Sequence, residues 1–198
     1  MTKGRLEAFS DGVLAIIITI MVLELKVPHD PSLESLRPLL PVLLSYILSF
    51  VYVGIYWNNH HHLFQAVKSI RGGVLWANLH LLFWLSLVPF SSGWMGENNF
   101  AAVPTALYGA VLLGAAIAYS IMVRILLRHH GQESVLARAI GSDLKGNLSM
   151  LCYVAAFGLA FVQSWIAWSI YALVAIAWLI PDRRIERTLD SQSHRSED

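Results

Sequence analysis

Charged residues are scarce in this sequence. Only 14% of its 198 residues are Asp, Glu, Lys or Arg, whereas 56% are hydrophobic; soluble domains carry about 25% charged residues. A soluble chain of this length could not bury so much apolar surface in one core. The scarcity of charge therefore indicates a protein that faces lipid. The formal net charge of +1 gives no reason to expect a nucleic-acid partner.

Cysteine is almost absent as well. The single cysteine, Cys152, lies in an apolar run, where burial suppresses thiolate chemistry. One cysteine excludes an internal disulfide, and we expect Cys152 to be a small core residue.

In place of charge, the chain has long apolar runs. A helix that crosses a bilayer needs about 20 mostly apolar residues, and residues 146–181 contain no charged side chain. That run suffices for two short spans with a turn at Gln163 and Ser164. Along the whole chain we predict six spans, at about 6–26, 38–62, 72–95, 101–127, 146–163 and 165–181. The expected fold is an all-α polytopic membrane domain over residues 1–189, followed by a polar, disordered tail over 190–198.

The basic residues orient the chain, because cytoplasmic loops of membrane proteins collect Lys and Arg. If the N-terminus is inside, twelve basic residues fall in inner segments: Lys3, Arg5, Lys68, Arg71, Arg124, Arg128, Arg138, Lys145, Arg183, Arg184, Arg187 and Arg195. Only Lys26 and Arg37 fall in outer segments. This bias requires an even number of spans and predicts that both termini are cytoplasmic.

The first predicted helix combines an apolar stripe with an ionisable residue. Successive residues of an α-helix turn by about 100°, so Ile16, Thr19, Ile20 and Leu23 share one face. Such a stripe alone is typical of lipid contact or core packing. Asp11 lies about 140° around the helix from Ile16, and ionisable residues in membranes usually face protein or water. We expect Asp11 to point towards neighbouring helices.

Further polar groups lie on the second and third spans. The second span ends with histidines at 60–62. Neighbours on a helix point about 100° apart, whereas metal-binding pairs favour i, i+3 or i, i+4 spacing. We therefore predict no metal site, although His80 is a distant candidate partner. On the third span, Asn78 is expected to hydrogen-bond across helices, and Pro89 to kink or end the helix.

The first helix contains Arg5, three intervening residues and then Phe9-Ser10-Asp11. This pattern resembles the first helix of the transmembrane-protein-175 family of potassium channels.

The next two spans continue this resemblance. Trp57 followed by His60 and Leu63-Phe64 resembles the end of the family's second helix. Asn78 with Pro89 eleven residues later resembles its third helix. The matches cover about the first half of the chain, in the right order, and the second half matches only in having three further apolar spans.

The resemblance implies a homotetramer of prokaryotic type in the cell membrane. The first helices of the subunits would line a central pore, with Ile16 at the narrowest ring, Ile20 and Leu23 as further apolar rings, and Thr19 adding hydroxyls. The resemblance also implies a helix-packing network that holds the pore helix. Its members would be Arg5, Phe9, Ser10, Asp11, Trp57, His60 and Asn78.

The expected function is a modestly potassium-selective cation channel, not an enzyme, with potassium as the permeant ion and no cofactor. The chain lacks the Thr-Val-Gly-Tyr-Gly loop whose carbonyls coordinate the ion in familiar potassium channels. An isoleucine ring gates by dewetting and restricts passage by size. Selectivity would therefore come from pore diameter, the Thr19 hydroxyls and fields from nearby groups.

Three alternatives remain open at this stage. A proton-coupled secondary transporter would use Asp11 and the histidines as a relay, although the sequence has no obvious internal repeat. A membrane metalloenzyme would need the histidines to bind iron or zinc. A structural or assembly subunit would carry no flux.

Overall fold

The protein is built from helices that run up and down through one bundle. The computed structural model describes residues 2–67, 69–130 and 143–179, and within these ranges it contains no strand. The α-helices are α1 (Lys3–Leu23), α2 (Leu40–Gln65), α3 (Gly72–Ser86), α4 (Val88–Glu97), α5 (Ala102–His130), α6 (Leu144–Leu159) and α7 (Ser164–Leu179). A 3₁₀ helix, Leu33–Leu39, leads into α2. The prediction of an all-α fold is confirmed.

Six segments correspond in order to the six predicted spans. Four are long and apolar enough to cross a membrane, at Lys3–Leu23, Leu33–Gln65, Gly72–Glu97 and Ala102–His129. The last two, Leu144–Leu159 and Ser164–Leu179, are shorter apolar helices. Helix α6 has 16 residues and reaches about 24 Å at 1.5 Å per residue, somewhat less than a hydrocarbon core of about 30 Å. The chain is a membrane protein.

The third span is interrupted rather than ended by its proline. Helix α3 stops at Ser86 and α4 starts at Val88. Pro89 has no N–H, so the Leu85 carbonyl loses its partner one turn later. The chain tightens there, with the Leu87 N–H donating to the Trp84 carbonyl at 3.2 Å. The sequence predicts that Pro89 kinks or ends the helix; here the helix is interrupted, and α4 then continues to Glu97.

Helix α5 lies at the centre of the bundle and contacts α3, α4, α6 and α7. Small residues make this possible, because Ala115 and Ala118 are completely buried. Gly114 receives the Trp84 indole of α3, and Gly109 receives the Tyr171 ring of α7. Helix α1, by contrast, packs at the edge, against α2, α3 and α4.

Some predictions fall outside the described residues. These are the disordered tail at 190–198, the end of the last span at 180–181, and the basic residues Lys68, Arg138, Arg183, Arg184, Arg187 and Arg195.

Replacing Gly114 by alanine tests the packing of α5 on α3. A Cβ at this position would overlap the Trp84 indole, so the helices must shift. Overpacking of this kind costs about 1–3 kcal/mol, and we expect a lower thermal midpoint by intrinsic fluorescence of the purified protein. Gly158→Ala is the matched control, since a Cβ there meets no atom within 4 Å. Equal midpoints for the two variants would contradict the packing described here.

Candidate functional site

Helix α1 has one face packed against the bundle and one face left open. Its buried residues, Leu6, Ser10, Leu14, Ile17 and Met21, follow one another at spacings of three or four and therefore form one side of the helix. They are packed against α2, α3 and α4. The opposite side has no described neighbour that covers it.

The open face carries the predicted stripe. Ile16 is 59% exposed, Ile20 43% and Leu23 79%, and Thr19 is exposed between them. The Thr19 hydroxyl donates to the Ile16 carbonyl at 2.9 Å. Its hydrogen is thus used within the helix, and its oxygen lone pairs remain available on the open face. We call these four residues the α1 stripe.

A buried chain of hydrogen bonds ties α1 to α3 and α2. The Asn78 amide nitrogen donates to the Ser10 hydroxyl at 3.0 Å, and the Asn78 carbonyl oxygen lies 2.9 Å from Nε2 of His60. That oxygen can only accept, so His60 Nε2 carries the hydrogen. Ser10 completes the chain by donating to the Leu6 carbonyl at 2.9 Å. All three side chains are buried, and one asparagine therefore joins three helices.

A second tie lies on the rim of the same region. The Trp57 indole N–H donates to the Asp11 carboxylate at 3.0 Å, and the Trp57 ring stacks on His61. Ser10 and Asp11 are adjacent on α1, while Trp57 and His60 are one turn apart on α2. The two ties therefore fix both the height and the rotation of α1. As the sequence predicts, Asp11 points to a neighbouring helix rather than along the stripe.

Arg5 and Phe9 lie outside these two ties. Within the described ranges neither makes a hydrogen bond or ring contact to the other predicted network members, and Phe9 is 50% exposed. Both lie within about 20° of Ile16 around the helix axis. They extend the open face towards the start of α1. In this structure they therefore lie on the same face as the α1 stripe.

The remaining histidines are dispersed. His61 lies 2.8 Å from the Gln65 side-chain nitrogen, and His80 accepts a hydrogen bond from Trp84 at 3.1 Å. Over the part of the chain that the structure describes, no group of three His, Cys, Asp or Glu side chains is placed to hold a metal ion.

Sequence reasoning overlooked the surroundings of the stripe. A cleft of about 450 Å³ runs beside it, and its far wall is formed by Ser86, Pro89 and Phe90 at the kink between α3 and α4. Glu24 closes one end of this cleft. Beyond it, Lys26 and Glu97 form an ion pair at 2.6 Å, and the hydrogen bond from Lys26 to Glu97 raises the pKa of Lys26. The only sequence signal for this rim was the position of Glu24 and Lys26 just after the stripe.

Replacing Asn78 by alanine tests the buried tie. The change leaves the His60 N–H without its acceptor and the Ser10 hydroxyl without a donor, and an unsatisfied buried polar group costs about 1–3 kcal/mol. We expect a clearly lower thermal midpoint. Asn98→Ala is the control, because the side-chain amide of the exposed Asn98 donates to the Trp94 carbonyl of its own turn and to no other described residue. An Asn78 variant as stable as the Asn98 variant would refute the role given to this tie.

Comparison with known proteins places this site in context. The family model described as endosomal/lysosomal potassium channel TMEM175 matches residues 5–89, which include both ties and α1 from Arg5 onwards. A potassium channel of Chryseobacterium sp. (strain P1-3) is 59% identical over 189 residues, covering 96% of this chain and 98% of that protein. TMEM175 of Gallus gallus, named an endosomal/lysosomal proton channel, is 41% identical over 81 residues, which is 35% of this chain and 16% of that protein.

The fold agrees with these similarities. The crystal structure of a lysosomal potassium-selective channel TMEM175 homolog from Chamaesiphon minutus matches with a TM-score of 0.77 at 32% identity, over 90% of this chain and 96% of that chain. High identity over nearly the full length of the bacterial relative, together with this fold, leads to one conclusion: the chain belongs to the TMEM175 family.

Proposed function

We propose that this protein is a potassium-conducting cation channel, formed by four copies with their α1 helices around a central pore. One observation carries the proposal: α1 is packed on one side only, and its open side is an apolar stripe. The names of its relatives support conduction of a cation, since the bacterial relative is called a potassium channel. So does the likeness to a potassium-selective homolog.

The pore would be constricted by apolar side chains. Ile16 forms the narrowest ring in this proposal, with Ile20 and Leu23 as further rings. Apolar rings gate by dewetting and exclude by size, but they cannot replace the water around an ion. The exposed oxygen of Thr19 is the polar group at the level of these rings, and it supports a modest preference for potassium over sodium. No cofactor is needed for this mechanism.

Assembly as a homotetramer would give the open face its partners. The cleft beside the stripe is wide enough, at about 450 Å³, to take apolar side chains of a neighbouring copy. Arg5 and Phe9 would then meet neighbouring copies near the start of α1. The ties through Asn78 and Trp57 would hold each pore helix at one rotation, and their loosening would be a route to gating.

The channel is proposed to lie in the prokaryotic cell membrane with both termini in the cytoplasm. The helices alternate in direction, so Lys3, Arg71 and Lys145, at the starts of α1, α3 and α6, belong to one side. Lys26 and Arg37 belong to the other side, which the preference of basic residues for the cytoplasm makes the outer one.

Proton conduction is a second candidate. The Gallus gallus relative is named a proton channel, and its match is confined to part of this chain. Flux experiments that record potassium and internal pH together separate the two candidates.

Replacing Ile16 by asparagine tests the constriction. An amide ring would wet an apolar constriction, so we expect a severalfold larger potassium flux into proteoliposomes and a smaller preference over sodium. The measurement is bi-ionic potential and tracer flux with purified protein whose tetrameric mass has first been verified.

Ile18→Asn is the matched control for this experiment. Ile18 is about 200° from Ile16 around the helix and packs against the core. The Ile18→Asn variant should keep the ion selectivity of the parent protein even if it is less stable. Unaltered flux and selectivity in the Ile16 variant, with the tetramer intact, would place the constriction elsewhere.

A further inference from the structure

A second cavity lies apart from the α1 stripe. It has a volume of about 50 Å³, is partly open, and is lined by residues of α2, α5, α6 and α7 and by Asp143 at the start of α6. Four tyrosines are among its lining residues: Tyr52, Tyr56, Tyr119 and Tyr153. No residue of α1 lines it, so the proposed pore does not account for it.

The aromatic rings of this cavity form two edge-to-face pairs. Tyr56 and Tyr119 meet edge to face with centroids 6.2 Å apart, and so do Tyr52 and Tyr153. Small residues opposite them, among them Gly146, leave the space open. The result is a cage of π faces in the interior of a membrane protein.

Within the described ranges, most polar groups of the wall have hydrogen-bond partners and three have none. The Tyr52 hydroxyl donates to the Tyr171 carbonyl at 2.7 Å, and the Tyr119 hydroxyl to the Asn59 carbonyl at 3.2 Å. Tyr56 lines the cavity and is only 9% exposed as a residue, and its hydroxyl has no hydrogen-bond partner among the described residues. This hydroxyl is therefore available to an occupant of the cavity.

The other two free groups lie at one end of the cavity. Asp143 accepts the Gly146 N–H with one oxygen at 3.0 Å, which caps α6, and its second oxygen has no partner within the described ranges. The side-chain amide of Asn59 is likewise unengaged there. A residue with a carboxylate, one with an amide and one with a hydroxyl thus line the same cavity as the tyrosine rings.

This combination selects for a small organic cation. Aromatic faces attract cations, and a carboxylate is the acceptor that an ammonium group prefers. The volume sets the size, since cavities that admit benzene measure about 150 Å³ and this one is about a third of that. A bare potassium ion fits poorly, because three free polar groups and π faces do not replace its hydration shell.

The neighbouring Trp178 already shows this chemistry within the chain. The Lys145 ammonium lies 4.7 Å from the centroid of its ring, and its indole N–H donates to the Ser149 hydroxyl at 2.8 Å. The hydrogen bond to Ser149 holds the Trp178 ring in place, and Lys145 already makes a cation–π contact with it. The tyrosine rings are left to contact a ligand.

We propose that the tyrosine cavity binds a small primary ammonium ion of about the size of methylammonium. Asp143 and Asn59 hold the nitrogen, the Tyr56 hydroxyl adds a hydrogen bond, and the methyl group lies against the rings. Because α2, α5, α6 and α7 all contribute walls, an occupied cavity stabilises the bundle. The site is independent of ion conduction.

The test is thermal unfolding of the full-length protein in detergent, with methylammonium chloride replacing sodium chloride at constant ionic strength. We expect a saturable rise in the midpoint that potassium chloride does not reproduce. Asp143→Asn keeps a helix-capping side chain but removes the charge, and should weaken the apparent affinity at least tenfold. Tyr56→Phe keeps the ring and should weaken it severalfold.

Asp30→Asn is the matched control, since Asp30 also accepts a backbone N–H, from Ser32 at 2.9 Å, in an exposed loop. It should bind methylammonium as the parent protein does. A rise that is equal for sodium, potassium and methylammonium, or equal in the Asp143 and Asp30 variants, would overturn the proposal. If Asp143→Asn does not fold, an unchanged affinity of Tyr56→Phe for methylammonium would also overturn the proposal.

Discussion

The structure depends on how one helix is held from one side. Asn78 joins Ser10 of α1 to His60 of α2 through hydrogen bonds of 3.0 and 2.9 Å, in a region closed to solvent. In such surroundings an unpaired polar group is costly, so the three side chains specify one rotation of α1. That rotation decides which residues are packed and which remain open. The proposed role of the α1 stripe depends on this rotation of α1.

The rest of the bundle can be understood as the support for that arrangement. Helix α5 lies at its centre because glycine and alanine let α3 and α7 approach it closely. The kink at Pro89 sets Ser86 and Phe90 beside the stripe, so the cleft that would receive a neighbouring copy is formed by the same break. In the proposed channel, support and conduction are divided between different helices, and the tyrosine cavity belongs to the supporting part.

The six spans could be predicted because charge-free runs have few alternatives in a membrane. The kink followed from the missing N–H of Pro89, and the cross-helix role of Asn78 from the cost of a lone amide in lipid. The tyrosine cavity could not be predicted, because its walls come from four helices whose packing no local pattern encodes. Helical spacing alone places Arg5 and Phe9 on the face of Ile16, whereas the family resemblance implies that they belong to the helix-packing network.

The central claim is that the α1 stripe lines the ion path. Accessibility of substituted cysteines during conduction tests it most directly, in a Cys152→Ser background that removes the native thiol. Ile20→Cys and Ile18→Cys would be compared for block of potassium flux by a small thiol-reactive cation. The account predicts that flux through the Ile20 variant is blocked and that flux through the Ile18 variant is not. Block of the Ile18 variant alone, or of neither while both conduct, would contradict it.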